Sequence, residues 1–432
     1  MTRRIVVGSI ATLNQRSINQ ADKQQRIAYL DTGNLTRNII DEVKLIAPGE
    51  PLPSRAQRKV QDNTIIYSTV RPNLEHHGFI DTARKHLIVS TGFTTIDVTD
   101  KDVDAKFLYY ALTQKPITYF LHRIASGSVS SYPSISPDDL ADIALEIPSD
   151  RTEQKKIATI LSLIDKKIET NSLINKRLSL MADSLFEYWF LQFDFPDQNG
   201  KPYRSSGGAM VYNPVLKMHI PADWSAALLA DFIAHDKSGD WGYAEATSEH
   251  DQRVVCIRGA DINSLNGLAQ SQPPQRYIAA KNSHKLLEPN DVIIEISGGS
   301  PSQSTGRIAY VTEHSLGRFS DPLVTSNFCK ALTLKNPTAV YYLSHLWQML
   351  YRRGVFFNYE GKTSGIKNLL FDSFAGSYLT VRPKAAVLRS YYEINDVYEQ
   401  QKQALLAESA KLGELRDWLL PMLVNGQLTI AR

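Results

Sequence analysis

The sequence predicts an α/β protein in which two duplicated globular domains are separated by two long helices, paired antiparallel as a coiled coil with pseudo-twofold symmetry between the halves. Three observations lead there. Motifs recur in the same order about 234 residues apart; each half changes texture once, from a broken strand-and-loop pattern to a segment poor in helix breakers; and both of those segments carry an apolar heptad stripe. The chain has 432 residues, 43% hydrophobic and 22% charged, enough for two or three cores, which excludes a disordered or collagen-like chain.

The repeat is read residue by residue. Gly127-Ser-Val-Ser-Ser-Tyr-Pro-Ser-Ile135, followed by Asp138 and Leu140, matches Gly361-Lys-Thr-Ser-Gly-Ile-Lys-Asn-Leu369, followed by Asp372 and Phe374, 234 residues later. At that separation Phe107-Leu-Tyr-Tyr-Ala-Leu112 falls on Tyr341-Tyr-Leu-Ser-His-Leu346, and Met181, Asp183 and Leu185 fall on Leu415, Asp417 and Leu419. Val89-Ser-Thr-Gly-Phe93 and Val324-Thr-Ser-Asn-Phe328 lie 235 apart, Ile65-Ile66 and Ile293-Ile294 228 apart. Each match is weak alone; five in one order indicate duplication.

The first domain, residues 1–149, is broken by Gly, Pro and Asn and holds short β-branched runs such as Thr64-Ile-Ile-Tyr-Ser-Thr-Val70, the pattern of strands and loops. The first helix, residues 150–190, follows Pro148, with Thr152 as its expected cap and no Pro or Gly as far as Phe190. Its seam runs through Ile157, Leu161, Ile164, Ile168, Asn171, Asn175, Leu178, Ala182 and Leu185, where the two Asn trade stability for register. Residues 191–383 comprise a Pro- and Gly-rich linker and a second strand-rich domain. The second helix and a C-terminal tail, residues 384–432, carry Tyr391, Ile394, Tyr398, Leu405, Leu412 and Leu419 on the same spacing, interrupted at Gln401 and Glu408, and Pro421 and Gly426 are expected to end the helix. Neither stripe can bury itself, so each is expected to cover the other rather than only its own domain.

Forty-eight Lys and Arg against 45 Asp and Glu leave +3, so a nucleic-acid partner has to be met by local basic patches. Two cysteines, Cys256 and Cys329, support neither a disulfide framework nor a Cys-based zinc site. No segment has the length of a signal core or a membrane span, and the expectation is a cytoplasmic protein with no membrane contact.

Catalytic signatures are missing. The nearest approach to a methyltransferase base-flipping strip, Gln272-Pro-Pro-Gln275, lacks the aromatic residue and the Asn or Asp, and no Gly-rich cofactor loop or Walker-type loop occurs. Asp291 with Glu295 lacks the Lys of a metal-dependent nuclease, since Ser297 stands there, and a turn into a buried strand explains the segment. His76-His77, His235, His250 and His284 have no ligand spacing, so no metal is expected. Ser297-Gly-Gly-Ser-Pro301 reads as a strand-to-strand turn or as an anion nest.

Glu187-Tyr-Trp-Phe190, Phe193-Asp-Phe-Pro196, Gly200-Lys-Pro-Tyr203, Ser205-Ser-Gly-Gly208 and Ile220-Pro-Ala-Asp-Trp224 together resemble the central region of the DNA specificity subunits of type I restriction-modification enzymes. Glu153-Gln-Lys-Lys-Ile157 at the start of the first helix and Cys256-Ile-Arg-Gly-Ala-Asp-Ile262 extend the resemblance. It implies two target recognition domains alternating with two spacer helices in a non-catalytic subunit. That subunit reads a bipartite double-stranded DNA target and binds two methyltransferase subunits and, through them, restriction subunits. S-adenosylmethionine is then expected on the methyltransferase partner and no cofactor on this chain. The second helix opens Val387-Leu-Arg-Ser-Tyr391 without the Glu-Gln-Lys pattern, so contacts ascribed to that motif are expected to be asymmetric.

DNA reading requires cations at phosphates and Arg, Asn, Gln or Ser at base edges. In the first domain the candidates are Arg55, Arg58, Lys59 and Arg71, with the loop residues Ser128, Ser130, Ser131 and Tyr132; residues 1–90 carry thirteen Lys and Arg against eight Asp and Glu. In the second they are Arg258, Arg307 and Arg318, with Lys362, Thr363, Ser364 and Lys367 of the repeated loop. The sequence leaves two rival classes, a single-chain DNA enzyme and a helical scaffold that does not touch DNA. Missing catalytic motifs weigh against the first, and salt-sensitive, sequence-selective DNA binding would exclude the second.

Overall fold

The computed structural model describes residues 2–40, 42–127, 133–268, 271–299, 303–363, 366–428 and 430. Its two compact units are Met1–Glu169 with Ala410–Arg432, and Thr170–Ser409. Each long helix therefore contributes one segment to each unit.

In the first unit an antiparallel pair, Thr2–Val6 with Ala144–Pro148, brings the two ends of the globular part together. One four-stranded antiparallel sheet has the order Ala11–Leu13, Phe93–Val98, Thr64–Ser68, His77–Ile80. A second sheet orders Lys44–Ile46, Ile27–Leu30, Leu87–Ser90 and Ala56–Lys59, and its middle pair is parallel. The run Ile65-Ile66 is continuous because its strand is covered on both faces. Ile65 packs with Phe107, Leu108 and Ile157, whereas Ile66 packs with Leu30, Val89 and Phe93.

The second unit repeats this topology. Ser225–Leu228 pairs with Leu379–Arg382, and the antiparallel sheet runs Ile233–Ser238, Cys329–Leu334, Val292–Glu295, Ile308–Tyr310. Gln252–Ile257 and Leu323–Thr325 form the corresponding parallel pair. Here too the central strand is buried on both faces, Ile293 in one cluster and Val292 and Ile294 in the other. The register carries the duplication: on the face toward the parallel pair, Ile66 lies opposite Thr95 in the first unit and Ile293 opposite Ala331 in the second. A small sheet of Ser297–Gly298, Ile366–Leu369 and Glu360–Thr363 is added beside them.

The first long helix spans Arg151–Phe186 and passes into a π-turn at Glu187–Leu191. Its cap is Asp150 rather than Thr152: Asp150 Oδ1 accepts from the Thr152 N–H at 2.8 Å, placing Thr152 inside the first turn. The second spans Ala385–Val424 and runs past Pro421. Proline there removes one hydrogen bond, and burial of Leu420, Leu423 and Val424 holds the last turn until Gly426, at φ +70°, ends it.

Within each unit the two helix segments run antiparallel. In the first, Asp165 accepts from Arg416 Nη1 at 2.8 Å, and Ile157 and Leu161 share a core with Leu420 and Leu423. In the second, Asn171 Nδ2 donates to Glu408 Oε2 at 2.8 Å and to Ser409 Oγ at 3.1 Å, and Asn175 faces the Lys402 carbonyl at 3.5 Å. Ile168, Leu178 and Tyr391 are also buried, while Ile164, Leu185, Ile394, Tyr398, Leu405, Leu412 and Leu419 are half-buried. The polar interruptions of the second seam fall elsewhere than the heptad reading put them. Gln401 is exposed, whereas Glu399 and Lys402 are buried as an ion pair, with the Tyr310 hydroxyl donating to Glu399 at 2.9 Å. Among the described residues no helix is long and apolar enough to cross a membrane.

Candidate nucleic-acid interface

The repeated loop is anchored in the same way in both units. In the first, Ile135 N–H donates to the Thr69 carbonyl at 2.8 Å and Arg71 N–H to the Pro133 carbonyl at 2.8 Å, so the downstream end of the loop lies against the residues that follow the central strand. In the second, Leu369 N–H donates to the Ile296 carbonyl at 2.9 Å, and Ser297 and Gly298 pair with Asn368 and Lys367. Ser128, Ser130, Ser131, Tyr132 and Ser364 lie outside the described residues, as do the side chains of Lys362 and Thr363; the backbone of the last two belongs to Glu360–Thr363.

Arg71 is exposed beside this loop, at φ +49° ahead of Pro72. Arg55 is exposed next to the strand Ala56–Lys59, on which Arg58 and Lys59 are half-buried. Burial lowers the pKa of Arg58, though it remains a cation at neutral pH, and its Nε has no partner among the described residues. Lys59 is engaged: its ammonium holds both oxygens of Asp22 at 2.8 and 3.0 Å and keeps that carboxyl below its ordinary range. A phosphate at Lys59 would have to displace Asp22.

Three candidate cations of the second unit, Arg258, Arg307 and Lys367, are held by carboxylates. Arg258 grips Asp261 through Nε at 2.7 Å and Nη2 at 2.9 Å, and Arg307 grips buried Glu295 at 2.9 and 2.6 Å; each partner raises the guanidinium pKa. Lys367 Nζ lies 2.9 Å from Glu360. Arg318 is half-buried over the Phe319 ring, its pKa lowered by burial. Arg258, Glu295, Glu360 and Lys367 line one cleft of about 1200 Å³, together with Gly298, Gly299, Asn327, Phe328 and Trp241. Arg307 reaches that cleft only through Glu295, and Arg318 is not among its lining residues. The Arg276 guanidinium stacks 4.0 Å from the centroid of the Trp241 ring.

Trp241, Arg276 and Asn327 are not marked by any motif, because what distinguishes them is place: Trp241 and Asn327 are exposed at the cleft, and half-buried Arg276 stacks on Trp241. Phe328 is visible in the sequence only as the repeat of Phe93. The arrangement offers guanidinium groups fixed by carboxylates, exposed aromatic rings and a Gly-Gly turn, a surface suited to binding.

Residues 8–180 match the type I restriction modification DNA specificity domain. Over those residues the chain is similar to type I specificity subunits. It is 31% identical over 168 residues to the type I restriction enzyme HindI specificity subunit of Haemophilus influenzae, covering 39% of this chain and 36% of that protein. It is 25% identical over 367 residues to the MjaIX specificity subunit of Methanocaldococcus jannaschii, covering 82% and 76%. The chain thus spans about a third of the first relative and three quarters of the second. The type I restriction-modification S subunit from M. genitalium shares the fold at a TM-score of 0.52 with 17% identity, over 98% of this chain and 96% of that one.

Proposed function

We propose that this chain is the non-catalytic DNA-reading subunit of a type I restriction-modification complex. Its recognition domains, residues 1–149 and 191–383, each read one half of a bipartite, asymmetric duplex target. The spacer helices, residues 150–190 and 384–432, carry two methyltransferase subunits, which hold S-adenosylmethionine and recruit the restriction subunits. The observation that carries this reading is one topology and one loop anchorage used twice with different side chains: Arg71 stands beside the loop in the first domain, and Gly298 with Gly299 in the second. Exposed Leu173 and Leu180 on the first helix supply apolar contact for a partner.

Selection from a pool of random duplexes, with the full chain assembled on its methyltransferase subunits, tests the reading. The expected outcome is enrichment of two unequal specified halves around an unspecified spacer, with affinity that falls as salt rises. Salt-sensitive binding that enriches no sequence, or no binding, overturns it.

A further inference from the structure

The turn between Leu323–Thr325 and Cys329–Leu334 presents Asn327 and Phe328 to the cleft, and its backbone is clamped on both sides. Ser326 N–H donates to the Ile257 carbonyl at 2.9 Å and Cys329 N–H to the Ser326 carbonyl at 2.9 Å; the Phe328 carbonyl accepts from Ile296 and Ser297 at 2.9 and 3.2 Å. On its outer side Gly239 lies so close that a Cβ there would meet the Ser326 carbonyl oxygen at 2.0 Å. The tip is therefore rigid. Asn327 is exposed and its amide has no hydrogen-bond partner among the described residues, and the Phe328 ring is 53% exposed.

The fold does not require this exposure. Its counterpart in the first domain is Gly92, whose carbonyl accepts from the Thr69 N–H at 2.8 Å as that of Phe328 accepts from Ile296, and the next residue is buried in both, Phe93 there and Cys329 here. The second domain has thus placed a phenyl ring and an amide where the first has Gly92 and Thr91, on a clamped backbone that holds both at the cleft. Arg258 and Lys367 line the same cleft, and Arg276 stands behind Trp241.

Resting on the DNA-reading function proposed above, we infer that Asn327 and Phe328 are specificity-determining residues of the second domain and read an A·T pair in the major groove. An asparagine amide matches adenine N6 and N7 with one acceptor and one donor, and a phenyl ring matches the thymine methyl group. The nearby cations suit the flanking phosphates, and the clamped backbone fixes the register of the tip against the base edges.

The test uses the full chain with its methyltransferase subunits, as wild type and as Asn327→Ala and Phe328→Ala, in the same duplex selection. Each variant is expected to lose discrimination, roughly 5- to 150-fold, at one A·T position in the half-site assigned to residues 191–383, and to read the other half as before. Uracil in place of that thymine should weaken the wild type and leave Phe328→Ala unaffected. Unchanged preference at every position overturns the inference. So does a uniform loss over all sequences with a flatter salt dependence, which would mark a phosphate contact, and so does loss of the methyltransferase subunits with DNA preference retained, which would mark a protein contact. A wild type that selects no sequence overturns the underlying reading as well; a wild type that selects, with variants that match it, overturns only this one.

Discussion

Single residues show most clearly what position in the fold adds to a side chain. His77 and His345 carry no metal-like spacing, and the fold uses both as buried neutral rings: His77 between Tyr67 and Tyr109, and His345 against the Tyr391 hydroxyl at 2.6 Å. Burial pushes the pKa of His77 down to about 3 and of His345 down to about 4. Because the folded forms bind their proton later than the unfolded chain does, the stability they contribute is complete above pH 6.5 and is lost as pH falls below it. Between pH 6.5 and 5 each should cost about 2 kcal/mol, read as a falling urea midpoint, and His345→Gln should flatten the dependence of the second unit. Asp22 and Asp417, held low in the fold, add their own losses only further into acid. The cations of the candidate interface were legible as residue types, but their engagement was not. Lys59 meets Asp22 across 37 positions and Arg307 meets Glu295 across 12, and no local pattern forecasts such pairs.

Among the elements, the long helices were read from their lack of breakers, and the first seam at Ile157, Leu161 and Ile168 is buried because apolar periodicity reports burial directly. The second helix escapes that rule at Glu399, Lys402 and Gln403, where buried polar groups satisfy one another and Tyr310. How the first helix starts also rests on a polar contact. Gln154 is fully buried; its Nε2 donates to the carbonyls of Pro148 at 2.8 Å and Asp102 at 3.1 Å, and its Oε1 accepts from the Asp104 N–H at 2.8 Å. It pins the helix to the first domain. In the second helix the residue 234 positions on is Leu388, which packs into an apolar cluster instead and accounts for the missing Glu-Gln-Lys pattern. Gln154→Leu leaves those three backbone groups without their partner and should cost about 2 to 4 kcal/mol in urea denaturation, far more than a surface exchange of the same kind.

At the level of the whole molecule, duplication was legible because matched runs such as Ile65-Ile66 and Ile293-Ile294 sit on equivalent strands, one residue out of register, so a shared fold leaves ordered traces even where few residues agree. The reading surface was not, since the sequence match of Phe328 with Phe93 is one residue out of the structural register, in which exposed Phe328 stands where the first domain has Gly92. That divergence is the reason to expect two independent readers on one scaffold. The most direct test replaces residues 1–149 with the corresponding domain of a relative of different specificity and determines the target of the assembled complex. The account predicts that one half of the recognised sequence takes on the donor's specificity while the other half is retained; a target altered in both halves, or in neither, would contradict it.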